Sequence, residues 1–256
     1  MTTGTWFTRG IALFADKTTT LRAYGQTDIG QHREQNEDSF LVAEELGLYG
    51  VADGIGGLPY GDQASRLALD CIHHWGTENG GIQTEDDLRS AILYANETVC
   101  EEGAILSDDT GIGTTVSLIV LKEKHVMIGN VGDSGCFLFR KGNVAKLTRD
   151  HTLAQEIYDQ IAPGEKKPEV PDYFHHSLTR CLGQTDDFKS DIFSYEIKSG
   201  DRFLACTDGV TDLINQDDLH NLVFNSESPK EFIDQVISTA LKRGGHDNTT
   251  AVAIFT

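Results

Sequence analysis

Apolar residues alternate with polar ones, or run without interruption, along nine short segments of the chain, and this pattern predicts β-strands. Short loops join most of these segments, so we expect the strands to pair in antiparallel fashion. The predicted strands cover residues 21–27, 39–43, 48–52, 114–121, 126–131, 136–140, 191–197, 202–206 and 249–255.

Three other segments repeat apolar residues at the spacing of an α-helix. Two of them cover 62–76 and 84–106, and the third begins at Ser228-Pro229, where serine can cap a helix and proline fits its first turn. Antiparallel strands that are covered by helices indicate an α+β protein. The residues that carry the helical spacing are Leu67, Cys71 and Trp75, then Leu88, Ile92, Ala95 and Val99, and finally Phe232, Val236 and Ala240.

The composition favours one large domain over residues 1–256. The chain has 256 residues, of which 39% are hydrophobic, so it can bury a substantial core, and no repeat or low-complexity linker divides it. Its 40 acidic and 21 basic residues give a formal net charge of -19. Because this charge repels nucleic-acid phosphates and anionic lipid headgroups, we expect no nucleic-acid partner.

The cysteines and the first residues bear on the cellular compartment. The five cysteines are odd in number, widely spaced and form no C-x-x-C pair, which favours reduced thiols and a cytoplasmic location. The apolar run 6–14 is interrupted by Arg9 and is too short to cross a bilayer. We expect neither a signal peptide nor a membrane anchor, because no cleavage pattern of small residues follows this run.

Four acidic motifs are spread along the chain: R-E-Q-N-E-D at 33–38, A-D-G-I-G-G at 52–57, T-D-G at 207–209 and H-D-N at 246–248. Three of them place aspartate beside glycine or asparagine at the edge of a predicted strand, where the chain turns. Such turns can aim carboxylates at one point, and oxygen ligands suit Mg²⁺ or Mn²⁺. Arg33 adds a planar guanidinium that matches phosphate. Each motif alone is typical of an ordinary turn, but together they predict metal-assisted phosphate chemistry.

Two further features match other kinds of site, a serine nucleophile and a zinc site. The letters Gly132-Asp133-Ser134-Gly135 match the nucleophile loop of trypsin-like serine proteases, but the chain lacks that class's histidine segment and disulfide pattern. The pairs His73-His74 and His175-His176 suggest zinc, but adjacent residues face different ways and no H-E-x-x-H motif accompanies them. We therefore expect these histidines to lie at the surface or at its boundary with the core.

Eight short motifs in a fixed order carry a resemblance to a known family: R-E-Q-N-E-D, V-A-D-G-I-G-G, G-I-G-T-T, G-N-V-G-D-S, L-T-R-D-H, L-T-R-C-L-G, C-T-D-G-V and H-D-N-T-T. From about residue 21 to residue 255 the chain resembles the metal-dependent Ser/Thr protein phosphatase family (PPM, type 2C), and its length is similar to that of the bacterial short forms. The resemblance implies a four-layer αββα sandwich of two antiparallel β-sheets flanked by helices, with a two-metal site at one end.

The resemblance also implies which residues hold the metal ions. Asp53 would bridge two Mg²⁺ or Mn²⁺ ions, and the Gly54 carbonyl would complete the coordination of the first. Asp208 and Asp247 would hold the second ion. A third, weaker ion would bind at Asp133.

The remaining residues of the implied site include two departures from the family pattern. Glu37 and Asp38 would bind the ions directly or hold their waters, and Arg33 would clamp the substrate phosphate. Ile55 occupies a position where many eukaryotic members carry histidine, so we expect water or another acid to protonate the leaving group. Gly135 replaces the usual arginine, which removes any ion pair that the arginine makes.

The segment from about 152 to 176 resembles the family's flap, which lies beside the active site and tunes substrate choice. It carries Lys166 and Lys167, which could bind a phosphopeptide or could simply belong to a solvated loop. Residues 1–20 would form an N-terminal extension.

The function that the resemblance implies is hydrolysis of phosphoserine and phosphothreonine in proteins, with Arg33 and Asp53 as catalytic residues. Such an enzyme would act on phosphoproteins and oppose a cognate Ser/Thr kinase in a cytoplasmic signalling pathway. One alternative is a catalytically silent family member that serves as a binding or scaffold module. Another is a phosphatase for phosphotyrosine or small phosphate esters. The presence of every expected metal carboxylate favours an active enzyme.

Overall fold

Ten strands form two antiparallel five-stranded sheets in the part of the chain that the computed structural model describes, residues 22–107, 110–162 and 164–256. They are β1 (Arg22–Asp28), β2 (Asp38–Ala43), β3 (Leu48–Asp53), β4 (Val116–Leu121), β5 (His125–Val131), β6 (Gly135–Arg140), β7 (Asn143–Lys146), β8 (Asp191–Glu196), β9 (Arg202–Cys206) and β10 (Thr249–Phe255). The first sheet has the order β1-β10-β9-β6-β7 and the second has the order β2-β3-β4-β5-β8. The predicted extension over residues 1–20 lies outside the described residues.

Helices cover the outer face of each sheet and complete four layers. They are α1 (Gly61–Glu78), α2 (Glu85–Leu106), α3 (Leu153–Asp159), α4 (Asp208–Thr211), α5 (Gln216–Phe224) and α6 (Pro229–Lys242). Helices α1 and α2 pack on the second sheet, whereas α4, α5 and α6 pack on the first. The predicted α+β class and the four-layer αββα sandwich are confirmed. No helix among the described residues is long and apolar enough to cross a membrane.

Strand β4 shows how the layers share their apolar side chains. All six of its residues are buried, because one face is covered by helices and the other by the first sheet. Leu118 packs beneath α1 and α2. The next residue, Ile119, points the opposite way and packs between the sheets with Tyr49, Phe203 and Ile254. Strand β4, and likewise β10 in the first sheet, therefore buries both of its faces.

Two helix starts follow the capping signals in the sequence. Thr84 and Asp87 form a reciprocal capping box at the start of α2. At the start of α6, the Glu231 N–H donates to the Ser228 hydroxyl at 3.1 Å, and Pro229 occupies the first turn. The predicted third helix is confirmed.

Five short elements correct the sequence analysis. The predicted flap contains helix α3, which Thr152 caps by accepting the Gln155 N–H, and a 3₁₀ turn at Asp172–Phe174. Strand β7 and helices α4 and α5 were also missed, and they have 4, 4 and 9 residues. Segments this short contain too few apolar repeats to be distinguished from turns.

Replacing Phe203 by alanine is predicted to lower the free energy of unfolding by about 3–5 kcal/mol, because the ring is fully buried between the sheets. Urea unfolding followed by circular dichroism measures the change. Ile105→Ala is the matched control, since Ile105 is 75% exposed at the end of α2, and it should change the stability by less than about 0.5 kcal/mol. Equal effects of the two substitutions would contradict this account of the core.

Candidate metal and phosphate site

Acidic residues from both sheets meet at one end of the sandwich. Asp38 begins β2 and Asp53 ends β3, and the antiparallel register pairs the two directly, so their side chains lie on the same face. Asp208 follows β9, and Asp247 precedes the neighbouring strand β10. The contact between the sheets is direct, because the Thr207 hydroxyl donates to Asp38 Oδ2 at 2.8 Å. Motifs that are distant in sequence thus converge as predicted.

The G-I-G-T-T motif holds the backbone of Asp53. The Thr115 N–H donates to the Asp53 carbonyl at 2.8 Å, and the Asp53 N–H donates to the Thr115 hydroxyl at 3.0 Å. The Thr114 hydroxyl also donates to the Asp53 carbonyl at 2.8 Å. The next residue must be glycine, because a Cβ at Gly54 would overlap the carbonyl of Gly61. These contacts fix the main chain and leave the carboxylate of Asp53 available for a ligand.

Asn248 ties the acidic loop 33–38 to the start of β10. Its side-chain oxygen accepts the Glu37 N–H at 2.8 Å, and its amide donates to the carbonyls of Ile29 and Gln35 at 2.9 and 3.0 Å. Asn248 is buried, so these hydrogen bonds satisfy polar groups that water does not reach. This physical link explains why the R-E-Q-N-E-D and H-D-N motifs occur together.

Arg33 lies beside the carboxylates, with part of its guanidinium open to solvent. Its Nη2 donates to Asp247 Oδ2 at 2.6 Å, and its side chain is 42% exposed. A Cβ at Gly56 would stand 3.0 Å from Arg33 Nη1 and 3.3 Å from Glu37 Oε2, so the A-D-G-I-G-G segment runs along the guanidinium. The arrangement places a phosphate-matching cation next to the acidic cluster.

The acidic cluster contains buried oxygens that lack a donor. Both Asp38 Oδ1 and Asp208 Oδ1 are buried without a hydrogen-bond partner. Buried and unpaired carboxylate oxygens cost free energy unless a cation binds them. Because the converging side chains of the cluster supply oxygen atoms, the site fits hard divalent ions such as Mg²⁺ or Mn²⁺.

Burial and repulsion raise the pKa values of these acids. Burial raises the pKa of Asp38 to about 7 and that of Asp133 to about 8. Burial, together with the charges of Asp38, Asp208 and Asp133, raises the pKa of Asp53 well above its usual range. Burial and the charge of Asp208 raise the pKa of Asp212 to about 6. A bound cation would offset the mutual repulsion that contributes to these shifts.

Asp133 lies in the loop between β5 and β6, which a chain of polar contacts supports. The Gly132 N–H donates to His151 Nδ1 at 3.1 Å, so His151 Nε2 carries the ring hydrogen and faces Asp191 at 3.2 Å. Burial lowers the pKa of His151, which favours this neutral form. Arg180 donates to the other oxygen of Asp191 at 2.9 Å. The L-T-R-D-H and L-T-R-C-L-G motifs therefore support the loop that carries Asp133.

Lys146 fills the space next to Gly135, where family members usually carry arginine. A Cβ at Gly135 would stand 3.1 Å from Lys146 Cε, and Lys146 Nζ forms an ion pair with Asp150 Oδ1 at 2.5 Å. Lys146 also lines the cleft that contains Asp133. Strand β7 thus brings a positive charge to this cleft that residue 135 does not supply.

Ser134 is not placed as a protease nucleophile. It is fully buried, and its hydroxyl shares a hydrogen bond of 2.8 Å with the hydroxyl of Thr115. A nucleophilic serine must instead be exposed to substrate and paired with a histidine base. The Gly132-Asp133-Ser134-Gly135 segment serves as a structural connection here.

The sequence analysis did not assign two residues that border the acidic cluster, Asp212 and His176. His176 Nδ1 lies 4.0 Å from Asp208 Oδ2 and 3.7 Å from Asp212 Oδ2, and these two carboxylates raise the pKa of His176 to about 9. His175 faces the Tyr158 hydroxyl at 3.4 Å instead. Both histidines are exposed, as predicted. The spacing of Asp212, four residues after Asp208, could have indicated a shared face, whereas the pair His175-His176 did not indicate contact with Asp208 or Asp212.

The two flap lysines lie at the surface. Lys166 and Lys167 are exposed, and the ammonium group of Lys167 lies 4.5 Å from the ring centroid of Tyr158. Tyr158 also lines the cleft with Asp133 and Asp208. A role for the lysines in substrate binding stays a prediction.

The chain is similar to known proteins in sequence and in fold. The serine/threonine phosphatase stp of Listeria welshimeri is 30% identical over 245 residues, which cover 91% of this chain and 95% of that protein. The crystal structure of the catalytic domain of the serine threonine protein phosphatase PstP in complex with 2 manganese ions is 28% identical, with a TM-score of 0.78 over 92% of this chain and 97% of that chain.

A second solved structure is the PPM Ser-Thr phosphatase MsPP from Mycobacterium smegmatis in complex with cacodylate. It is 30% identical, with a TM-score of 0.77 over 91% of this chain and 97% of that chain. The family model described as protein phosphatase 2C matches residues 29–250. Since this model spans most of the chain, including all four acidic motifs, the chain belongs to the protein phosphatase 2C family.

Proposed function

We propose that the protein is a metal-dependent phosphatase that removes phosphate from phosphoserine and phosphothreonine in other proteins. The observation that carries the proposal is the convergence of Asp38, Asp53, Asp208 and Asp247 beside the exposed guanidinium of Arg33. Relatives that are named serine/threonine phosphatases, one of them solved with 2 manganese ions, support it further.

The chain offers a specific set of ligands for Mg²⁺ or Mn²⁺. Two divalent ions, when bound, supply Lewis acidity and activate water as the nucleophile for hydrolysis of the phosphate ester. We assign Asp53, the Gly54 carbonyl, Asp208 and Asp247 to these two ions. The other assigned ligands are Glu37 and Asp38, which bind directly or through water, and Asp133, which would contribute to a third ion.

Arg33 positions the substrate phosphate. Its guanidinium can form two parallel hydrogen bonds with phosphate oxygens, which orients the phosphorus atom and offsets negative charge that builds up during the reaction. The ion pair with Asp247 restricts the conformations of the side chain. Ile55 has no proton to give, so the leaving group takes its proton from water or from another acid.

The partners and the compartment follow from the same proposal. A phosphoprotein phosphatase requires a kinase that supplies its substrate, so a Ser/Thr kinase of the same pathway is the expected counterpart. All five cysteines are free thiols, which supports a reducing, cytoplasmic location. The alternative of a silent scaffold would require a defect elsewhere in the site, because Arg33 and every assigned carboxylate are present.

Asp208→Asn is predicted to lower kcat/KM for a phosphothreonine peptide by more than about 100-fold, because the amide is a weaker ligand than the carboxylate. The measurement is Mn²⁺-dependent phosphate release by the wild type and the variant side by side. Asp217→Asn removes an exposed carboxylate at the start of α5 and should retain wild-type kinetics. A metal-loaded wild type that releases no phosphate would support the scaffold alternative instead.

The metal-free protein is predicted to lose stability as the pH rises from about 5 to 8. The pKa values of Asp38 and Asp133 are raised to about 7 and 8 in the folded chain, against about 4 when unfolded. Over this range the folded state binds more protons than the unfolded state. The two carboxyl groups therefore contribute their full stabilisation near pH 4, and this contribution is lost as the pH rises to 7–8. Thermal unfolding in a chelator measures the effect.

Two variants check the origin of this pH dependence. Asp38→Asn removes one titrating group. It should therefore reduce the slope of the unfolding free energy against pH by up to about 1.4 kcal/mol per pH unit, the contribution of one proton. Asp217→Asn should leave it unchanged. If the stability of the metal-free protein depends on pH identically in the wild type and in Asp38→Asn, Asp38 does not cause that dependence.

The double variant Lys166→Ala/Lys167→Ala is predicted to raise KM for a phosphothreonine peptide about threefold or more, through the loss of two charges beside the cleft. Its KM for p-nitrophenyl phosphate should change less, because this ester does not extend to the flap. Steady-state kinetics on both substrates give the comparison. Equal changes in the two KM values would refute the role of the lysines.

A further inference from the structure

Tyr60 adopts a backbone conformation that tyrosine rarely takes. It precedes α1 with φ 60° and ψ 34°, in the left-handed region, and its side chain makes no capping hydrogen bond. This region crowds the Cβ of any residue other than glycine. Strained residues of this kind persist where their surroundings fix them, and they cluster at functional sites.

The backbone around Tyr60 is fixed against the acidic cluster. A Cβ at Gly61 would stand 2.9 Å from Glu37 Cδ, and a Cβ at Gly54 would overlap the Gly61 carbonyl. The Tyr60 carbonyl accepts the N–H groups of residues 63 and 64 at 3.1 and 3.0 Å. The main chain at Tyr60 is therefore held one residue away from the metal and phosphate site.

Tyr60 ends an uncharged rim beside Arg33. The segment 55–60 reads I-G-G-L-P-Y, in a chain with a formal charge of -19. The Leu58 N–H donates to the Ile55 carbonyl at 2.9 Å, and the Ile55 N–H donates to the Gly113 carbonyl at 3.0 Å, so the rim is anchored. Tyr60 is nevertheless 42% exposed. An anchored apolar loop that exposes an aromatic ring is suited to contact a ligand.

We propose that Tyr60 is a specificity-determining residue that packs its ring against an apolar side chain next to the phosphorylated residue of a protein substrate. The inference rests on the proposed function, because the phosphate would bind at Arg33, whose Nη1 would stand 3.0 Å from a Cβ at Gly56 of the same rim. The residues that flank the phosphorylated one in an extended chain then pass close to the rim. Tyrosine offers a large, rigid apolar face at such a contact.

The test uses Tyr60→Gly and Tyr60→Phe with two phosphothreonine peptides that carry either leucine or serine on both sides of the phosphothreonine. Tyr60→Gly should raise KM for the leucine peptide about 2- to 10-fold relative to KM for p-nitrophenyl phosphate, and the preference for leucine over serine should disappear. Its Tm should rise by about 2–4 °C, because glycine relieves the left-handed strain. Tyr60→Phe should retain the preference for leucine.

The outcomes separate this inference from the proposed function. If Tyr60→Gly keeps the wild-type preference, or if Tyr60→Phe loses it as fully as Tyr60→Gly, the inference about Tyr60 is wrong. Fluorescence anisotropy of labelled peptides gives the Kd values independently of turnover. A wild type that binds the peptides without hydrolysing them would overturn the proposed function, while the Kd ratio of the variants would still decide the role of Tyr60. A wild type that binds neither peptide would overturn both.

Discussion

Repulsion between buried carboxylates is the constraint on which the rest of this structure depends. Asp38, Asp53, Asp133 and Asp208 meet where two sheets end, and burial and their mutual charges raise the pKa values of the first three. Charges at short range interact strongly where water is excluded. Such a cluster resembles an ion-binding cavity more than a stable core. A divalent cation would offset the repulsion between its carboxylates.

The surrounding residues hold the cluster together mainly through its backbone, although Thr207 and Arg33 each bind one carboxylate oxygen, of Asp38 and of Asp247. Thr114 and Thr115 bind the backbone of Asp53, and Asn248 binds the backbone of the acidic loop. The hydrogen bonds made by Thr114, Thr115 and Asn248 therefore end on backbone N–H and carbonyl groups. Supporting contacts of this kind preorganise a site, because they fix the positions of the carboxylates and leave their oxygens free to coordinate.

The sequence predicted the fold and the central carboxylates because both are expressed in local patterns. Strand β4 is apolar except for Ser117, and Asp53 and Asp208 stand at the ends of apolar strands, so their common position could be inferred from the sequence. The position of His176 could not be inferred in this way, since its contact with Asp208 joins the flap to α4 across the fold. The backbone conformation of Tyr60 could not be inferred either, because nothing in the neighbouring sequence indicates a left-handed residue. Short helices such as α5 depend on packing against the first sheet rather than on periodicity.

The pairing of β1 with β10 has a consequence for how the protein acquires its activity. Arg33 and Asp247 are 214 residues apart in sequence, yet their side chains are in contact. Closing so long a loop carries an entropic cost that later contacts must offset, and proteins rich in such contacts fold slowly. We expect partly folded intermediates to contain many of the helices and hairpins but no complete metal and phosphate site. The chain therefore has no activity until its most distant strands, β1 and β10, have paired.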